Sequence, residues 1–196
     1  MDRSHEDTAE RIIVIASRLF SDLGYDGTSI QMIADAAGMS PERIQKMVGG
    51  KRELYVRVAE GNQKRQFEAL EDLARTHTPD AAGIKRIADR YLQYVIDHPE
   101  YSMLWIQRWM SDAADLVEME RLFRTPIVVE VNRLVATSFK PGVDPVLAFW
   151  MVIWSVESFL HGGVVEEDGE VHRADDPQSR ERFLRHLHAY IDLVAR

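Results

Sequence analysis

Two short amphipathic runs separated by one glycine, at residues 30–48, constrain this chain more than any other stretch. They read I-Q-M-I-A-D-A-A-G-M-S-P-E-R-I-Q-K-M-V. Ile30, Ile33, Ala34 and Ala37 recur at helical spacing, and a helix is expected to start after Thr28 or Ser29 and stop at Gly38. Small Ala34 and Ala37 let a second helix approach closely, and Gly38 can take the left-handed conformation that a sharp turn demands. Ser40 then caps the next helix, and Pro41 sits in its first turn, where a missing N–H costs nothing. Met39, Ile44 and Val48 would hold this helix against the first. That leaves Pro41, Glu42, Arg43, Gln45, Lys46 and Met47 facing outward, as a helix that enters a DNA major groove requires.

The flanking sequence continues in the same idiom, and the expected fold class is all-α. Apolar positions from Ile12 to Leu23 form a first helix, started by Asp7 or Thr8 and stopped at Gly24. Further helices are expected at 51–74, with Gly61 inside, and at 80–96, 99–111, 114–139, 145–161 and 179–194. Pro126 should kink or restart the segment 114–139. The stretch 145–161 is apolar almost all round and should be buried on more than one side. Residues 162–177 are acidic and marked by Gly and Pro, which reads as an exposed loop. No strand, repeat or low-complexity tract is persuasive.

Charge divides the chain. Residues 1–65 hold 10 Lys/Arg and 10 Asp/Glu, so the whole net charge of −8 falls on residues 66–196. A neutral segment joined to an acidic one suggests two tasks, and it lacks the basic footprint of a nonspecific DNA coater. With no Cys, disulfide frameworks, thiolate nucleophiles and Cys-based zinc sites are excluded. The polar opening reads as no secretory signal, and apolar runs such as 146–153 fall far short of the ~20 residues of a bilayer span. A cytoplasmic protein without a membrane partner is expected.

Residues 8–60 resemble the N-terminal domain of the TetR family of transcriptional repressors. The resemblance rests on the first helix ending Leu19-Phe20, on Gly24-Tyr25-Asp26-Gly27-Thr28-Ser29, and on Ile33-Ala34. It continues through Ala37-Gly38-Met39-Ser40 and Lys51-Arg52-Glu53-Leu54-Tyr55. It implies a three-helix DNA-binding domain at residues 1–51, followed by a helical bundle at 52–196 for ligand binding and dimerisation. Thr28, Ser29, Gln31 and Ser40 would lie at or near helix starts facing phosphate, and Lys51 matches a family phosphate contact. Arg43, Gln45 and Lys46 are the expected base-edge or phosphate readers, with Pro41, Glu42 and Met47 beside them. A palindromic or near-palindromic operator, a homodimer and a small hydrophobic effector of unknown identity complete what the resemblance implies.

All four Trp lie in the second part of the chain. Trp105 and Trp109, and Trp150 and Trp154, are spaced four apart, so each pair shares a helix face. Together with Tyr101, Arg108, Phe123, Glu157 and His161 they form the candidate ligand set; a packed helical core is the competing reading. Glu157 and His161 could equally form an internal pair or meet a partner subunit. For the dimer, the family implies the last two long helices, and Phe149, Val156, Leu160, Phe183, Leu187, Tyr190, Ile191 and Val194 are the expected contacts. The stripe through Leu187 and Ile191 is one that a lone subunit would expose. No cofactor, metal site or catalytic residue is expected, since no nucleophile elbow, phosphate-binding glycine motif or H-E-x-x-H occurs. Two other readings stay open: a helical small-molecule binder with an inactive DNA head, motivated by Glu42 and the neutral residues 1–65, and a helical enzyme using Glu157 and His161 as acid and base.

Overall fold

The computed structural model describes residues 3–196, with side chains described from residue 6 onward. Met1, Asp2 and the side chains of residues 3–5, on which the expectation of no leader partly rests, lie outside the described residues. The helices are α1 (Arg3–Gly27), α2 (Ile30–Ala37), α3 (Pro41–Val48), α4 (Lys51–Thr76), α5 (Ala81–Asp97) and α6 (Pro99–Trp109). A π-helical turn at Glu120–Arg124 leads into α7 (Thr125–Val135), followed by α8 (Pro145–Gly162) and α9 (Pro177–Val194). The chain forms two compact units, Met1–Phe67 with Pro99–Pro126 and Glu68–His98 with Ile127–Arg196.

In the first unit α1 packs against α2, α3 and α6. It begins at Arg3, ahead of the caps expected at Asp7 or Thr8, because residues 3–7 hold no Gly or Pro and Glu6 suits the positive end of the helix. Gly24 interrupts it as expected, at φ 76°, and the chain then makes one further turn to Gly27. Phe20, Tyr25 and Tyr55 form an aromatic triangle with ring centroids 4.9–6.1 Å apart, which ties the end of α1 to the start of α4. Burial pushes the Tyr55 hydroxyl pKa far up, against the lowering effect of the neighbouring Arg108 guanidinium.

Residues 110–118 are turns and irregular chain and not the helix expected from 114 onward. Pro126 explains the π-helical turn that follows. Its ring excludes the normal bond to the carbonyl four residues back, Leu122 O. Gln63 Nε2 takes that carbonyl instead, at 2.8 Å, and also reaches Phe123 O at 3.1 Å.

In the second unit α5 packs against α8 and α9, which also pack against each other. Their buried seam includes Ile84, Leu92, Val95, Val152, Val156 and Ile191. Lys85 pairs with Asp192 at 2.6 Å, and His188 Nε2 lies 2.6 Å from Asp89. Residues 162–177 are mostly exposed, but two short strands, β1 (Val164–Val165) and β2 (Val171–His172), pair antiparallel where only a loop was expected.

Burial corrects the expected dimer contacts. Leu187 and Ile191 face inward, as do Phe149 and Val156 of α8, so this stripe is core of the single chain. The exposed apolar face belongs to α8 instead: Leu147, Met151 and Trp154 are 46–56% exposed, with Trp150 half-buried between them. By length and composition α8 could cross a membrane, with 18 residues of mean hydropathy 1.2, a longer apolar element than the run 146–153 alone. It also places Glu157 in the interior and packs on two neighbouring helices.

Ile191→Ala should cost about 2–4 kcal/mol in denaturant unfolding, whereas Leu193→Ala, at a 74% exposed position, should stay within about 0.5 kcal/mol. Equal effects would place α9 the other way round.

Candidate nucleic-acid interface

Each turn of the helix pair is set by one residue's stereochemistry. Ser29 is the N-cap of α2, and its hydroxyl accepts from Met32 N at 3.2 Å. Gly38 closes α2 at φ 67°, the left-handed conformation. Ser40 caps α3 by accepting from Arg43 N at 3.3 Å, and Pro41 occupies the first turn. Ile33, Ala34, Ile44 and Val48 are buried between the elements, with Met39 and Ala37 half-buried. Glu42, Arg43, Gln45 and Lys46 are exposed on the free face of α3, and Pro41 and Met47 are half-buried at its edges. A shallow open groove lies between α2, the turn and the start of α3, lined by Gln31, Asp35, Gly38, Ser40, Pro41 and Arg43 among others. Gln31 Nε2 donates to Asp35 Oδ1 at 2.7 Å. The Glu42 carboxyl is held below the usual range by its own backbone N–H and the Ser40 hydroxyl, so a negative charge stands beside Arg43 and Lys46.

The corner before α2 differs from expectation. Thr28 is buried, and its hydroxyl donates to Gly24 O at 2.6 Å and Leu19 O at 3.2 Å, so it closes the end of α1 and does not face a phosphate. Lys51 is half-buried, donates from Nζ to Tyr25 O at 2.9 Å, and lies 4.2 Å from the centre of the Tyr25 ring. Tyr25, which the sequence offered only as part of the Gly24–Ser29 motif and with no role of its own, is therefore a residue that holds the corner.

The candidate ligand residues divide between the two units. In the first, Tyr101, Trp105 and Phe123 are buried, while Trp109 is 46% exposed. The shared face expected of Trp105 and Trp109 is real: the Arg124 guanidinium lies over both rings, at 5.1 and 5.0 Å. Arg108 is already engaged by four hydrogen bonds. It pairs with Glu120 through two bonds of 2.7 and 2.8 Å and donates to Ala113 O and Leu116 O at 3.0 and 3.1 Å, closing the turns after α6. In the second unit the Trp150 and Trp154 rings lie 5.7 Å apart on the outward face of α8. Glu157 is only 3% exposed and accepts from the Tyr91 hydroxyl, with His161 Nε2 at 3.6 Å. The internal pair is thus present. A separate cleft of about 170 Å³ lies between β1, β2 and the start of α9, lined by the stacked Phe159 and Phe183, with His172, Arg182 and His186.

A glycine-turned helix pair with capped starts and an outward polar face defines a DNA-binding helix-turn-helix. Residues 12–58 match the family of bacterial regulatory proteins named tetR, so the N-terminal domain is of TetR type. Solved structures share the fold along the chain. A Mesorhizobium loti protein assigned to the TetR family of transcriptional regulators superposes with TM-score 0.68 at 20% identity, covering 98% of this chain and 96% of that one. The ketosteroid transcriptional regulator KstR2 of Mycobacterium tuberculosis gives 0.64 at 14% identity, with 96% and 95% coverage. The fatty acid degradation regulator FadR from Bacillus halodurans gives 0.64 at 13%, covering 93% of each. No curated protein matches the chain in sequence.

The Arg108–Glu120 pair has a pH signature. Burial opposes the Glu120 charge, but the Arg108 bonds outweigh it and hold the carboxyl below its usual value. Its stabilisation is therefore present above about pH 4.3 and is lost as pH falls through the lowered folded value. Glu120→Gln should lower the thermal midpoint at pH 7, and that deficit should shrink as pH falls below about 4.3 and Glu120 takes up its proton; a deficit constant across the acid range would assign the effect to something other than the ion pair.

Proposed function

We propose that the chain is a ligand-responsive transcriptional regulator, a repressor that binds a palindromic or near-palindromic DNA operator as a homodimer and leaves it when a small hydrophobic or aromatic effector binds. The observation that carries the reading is the free face of α3, where Arg43, Gln45 and Lys46 stand exposed on a helix whose other face is locked by Ile44 and Val48. Residues 1–51 carry DNA binding, and residues 52–196 carry effector response and dimerisation. Arg43, Gln45 and Lys46 read base edges or phosphates, while the exposed capping hydroxyls of Ser29 and Ser40 lie where phosphate oxygens approach helix starts. Lys51 acts by steadying the Tyr25 corner and by adding positive charge near the backbone.

Dimerisation is supported by the outward face of α8. Leu147, Trp150, Met151 and Trp154 form a helical stripe of large apolar side chains, larger than isolated surface residues need. Phe183, Tyr190 and Val194, half-buried on α9, lie on the adjoining helix of the same unit. Two structures of the same fold belong to a ketosteroid transcriptional regulator and a fatty acid degradation regulator, and this supports an apolar effector. The aromatic set Tyr101, Trp105 and Phe123, with Trp109 under Arg124, is the lining we assign to it. Because Arg108 is engaged by Glu120 and two backbone carbonyls, polar recognition would fall to other groups. The chain is not read as an enzyme: Glu157 is buried against Tyr91 rather than open to a substrate.

A duplex selected by the chain from a randomised pool tests the DNA reading. Gln45→Ala should relax the preference at particular base pairs, while Lys46→Ala should weaken binding to all duplexes and flatten the salt slope by roughly one phosphate per subunit. Failure of the wild type to select any duplex would overturn the proposal. For assembly, Trp154→Glu should give a folded monomer in sedimentation at micromolar concentration; a wild type that is itself monomeric there removes the dimer from the reading.

A further inference from the structure

We infer that Asp112 is a positioning residue for the DNA head: its carboxylate, aimed by a strained loop after α6, fixes the corner from which α2 and α3 depart. This inference rests on the DNA-binding reading above. Where α1 leaves helical geometry at Gly24, the next two N–H groups lose their carbonyl partners four residues back. Asp112 supplies both replacements. Tyr25 N donates to Oδ2 at 2.8 Å and Asp26 N to Oδ1 at 2.9 Å. The fit is close, since a Cβ on Gly24 would stand 2.8 Å from Asp112 Oδ1. The same corner is held from its carbonyl side by Lys51 Nζ and Thr28 N, both on Tyr25 O, at 2.9 and 3.2 Å. Five residues after Tyr25, α2 begins. A rotation at this corner therefore carries the helix pair with it.

The loop that presents Asp112 is unusual in a way that points to use. Ser111 and Ala113, on either side of it, have φ of 73° and 54°, the only positive φ values at non-glycine residues among the described residues. Neither side chain has the local hydrogen bonding that makes Asn or Asp tolerant there, and such strain persists only where surroundings over-determine it. The surroundings are visible. Arg108 holds Ala113 O and Leu116 O, Asp112 N donates to Gln107 O at 3.0 Å, and the Ala113 side chain is fully buried. Gln107 Nε2 adds a further bond to Ser21 O of α1, at 2.8 Å. The geometry spends backbone strain on one outcome, a carboxylate placed under two specific amides.

The test uses the full chain, a duplex that the wild type selects from a randomised pool, and a scrambled duplex of equal length. Asp112→Ala should speed hydrogen exchange of the Tyr25 and Asp26 amides while leaving those of Ile33 and Ile44 unchanged. It should lower the selected-to-scrambled binding ratio about tenfold, with scrambled binding unaltered, because phosphate attraction survives a misplaced recognition helix. Asp112→Asn, which offers one carbonyl oxygen for two donors, should fall between and serves if the alanine variant does not fold. Ser111→Gly, which accepts the left-handed backbone freely, should raise the thermal midpoint and keep the wild-type ratio. Faster exchange with a wild-type ratio would make Asp112 a local cap only and overturn the inference, as would unchanged exchange. A wild type that selects no duplex removes the DNA-binding reading itself; a wild type that selects, with Asp112 variants that discriminate as well as it does, removes this inference alone.

Discussion

The aromatic contact among Phe20, Tyr25 and Tyr55 is the constraint from which the first unit follows. It buries the end of α1 against the start of α4 and leaves no freedom for the peptide between Gly24 and Ser29. Buried polar groups of that peptide then need partners from nearby, and those that find one draw on three separate elements. The amides of Tyr25 and Asp26 turn to the loop after α6, the Tyr25 carbonyl to α4, and the Thr28 hydroxyl back to α1. The ring faces are shared as well, with Lys51 lying over Tyr25. Apolar burial fixes where the corner is, and hydrogen bonding fixes how it points.

Local stereochemistry was legible in the sequence. Ser29, Gly38, Ser40 and Pro41 each act on their own helix end, so a single residue type carries the information, and the structure has them where periodicity put them. The phase of the later helices was not. On α8 nearly every position is apolar, so the pattern cannot say which side meets α5 and α9. On α9 the stripe through Leu187 and Ile191 was visible, but whether a neighbour within the chain or a second copy covers it is a tertiary matter, and α5 and α8 do. The same limit applies to polar residues. Arg108 between two Trp reads as an anchor, yet its partners Glu120, Ala113 and Leu116 lie in turns that follow the helix. Asp112 sits 87 residues from Tyr25, beyond any local pattern.

Within the candidate site, the division of labour is also physical. Side chains facing outward on α3 are free to meet a ligand because none is needed to hold the helix; Ser40, Ile44 and Val48 do that. At the corner the reverse holds, and Thr28 and Lys51 are occupied by the protein itself. The exposed polar residues of α3 and the residues that hold the corner are thus different ones. The region after α6, with its π-helical turn at Glu120–Arg124, belongs to the same compact unit as the head.

The hairpin of β1 and β2 carries a consequence for colloidal behaviour. Val164, Val165 and Val171 are exposed β-branched residues, the composition that templates edge-to-edge aggregation in longer strands. Here each strand is two residues long, and the connection between them holds Glu166, Glu167, Asp168 and Glu170. Four carboxylates crowd an edge too short to recruit a third strand, so the charges serve as gatekeepers. Neutralising them, by acid or by substitution, would strip that protection from the exposed valines of the two strands.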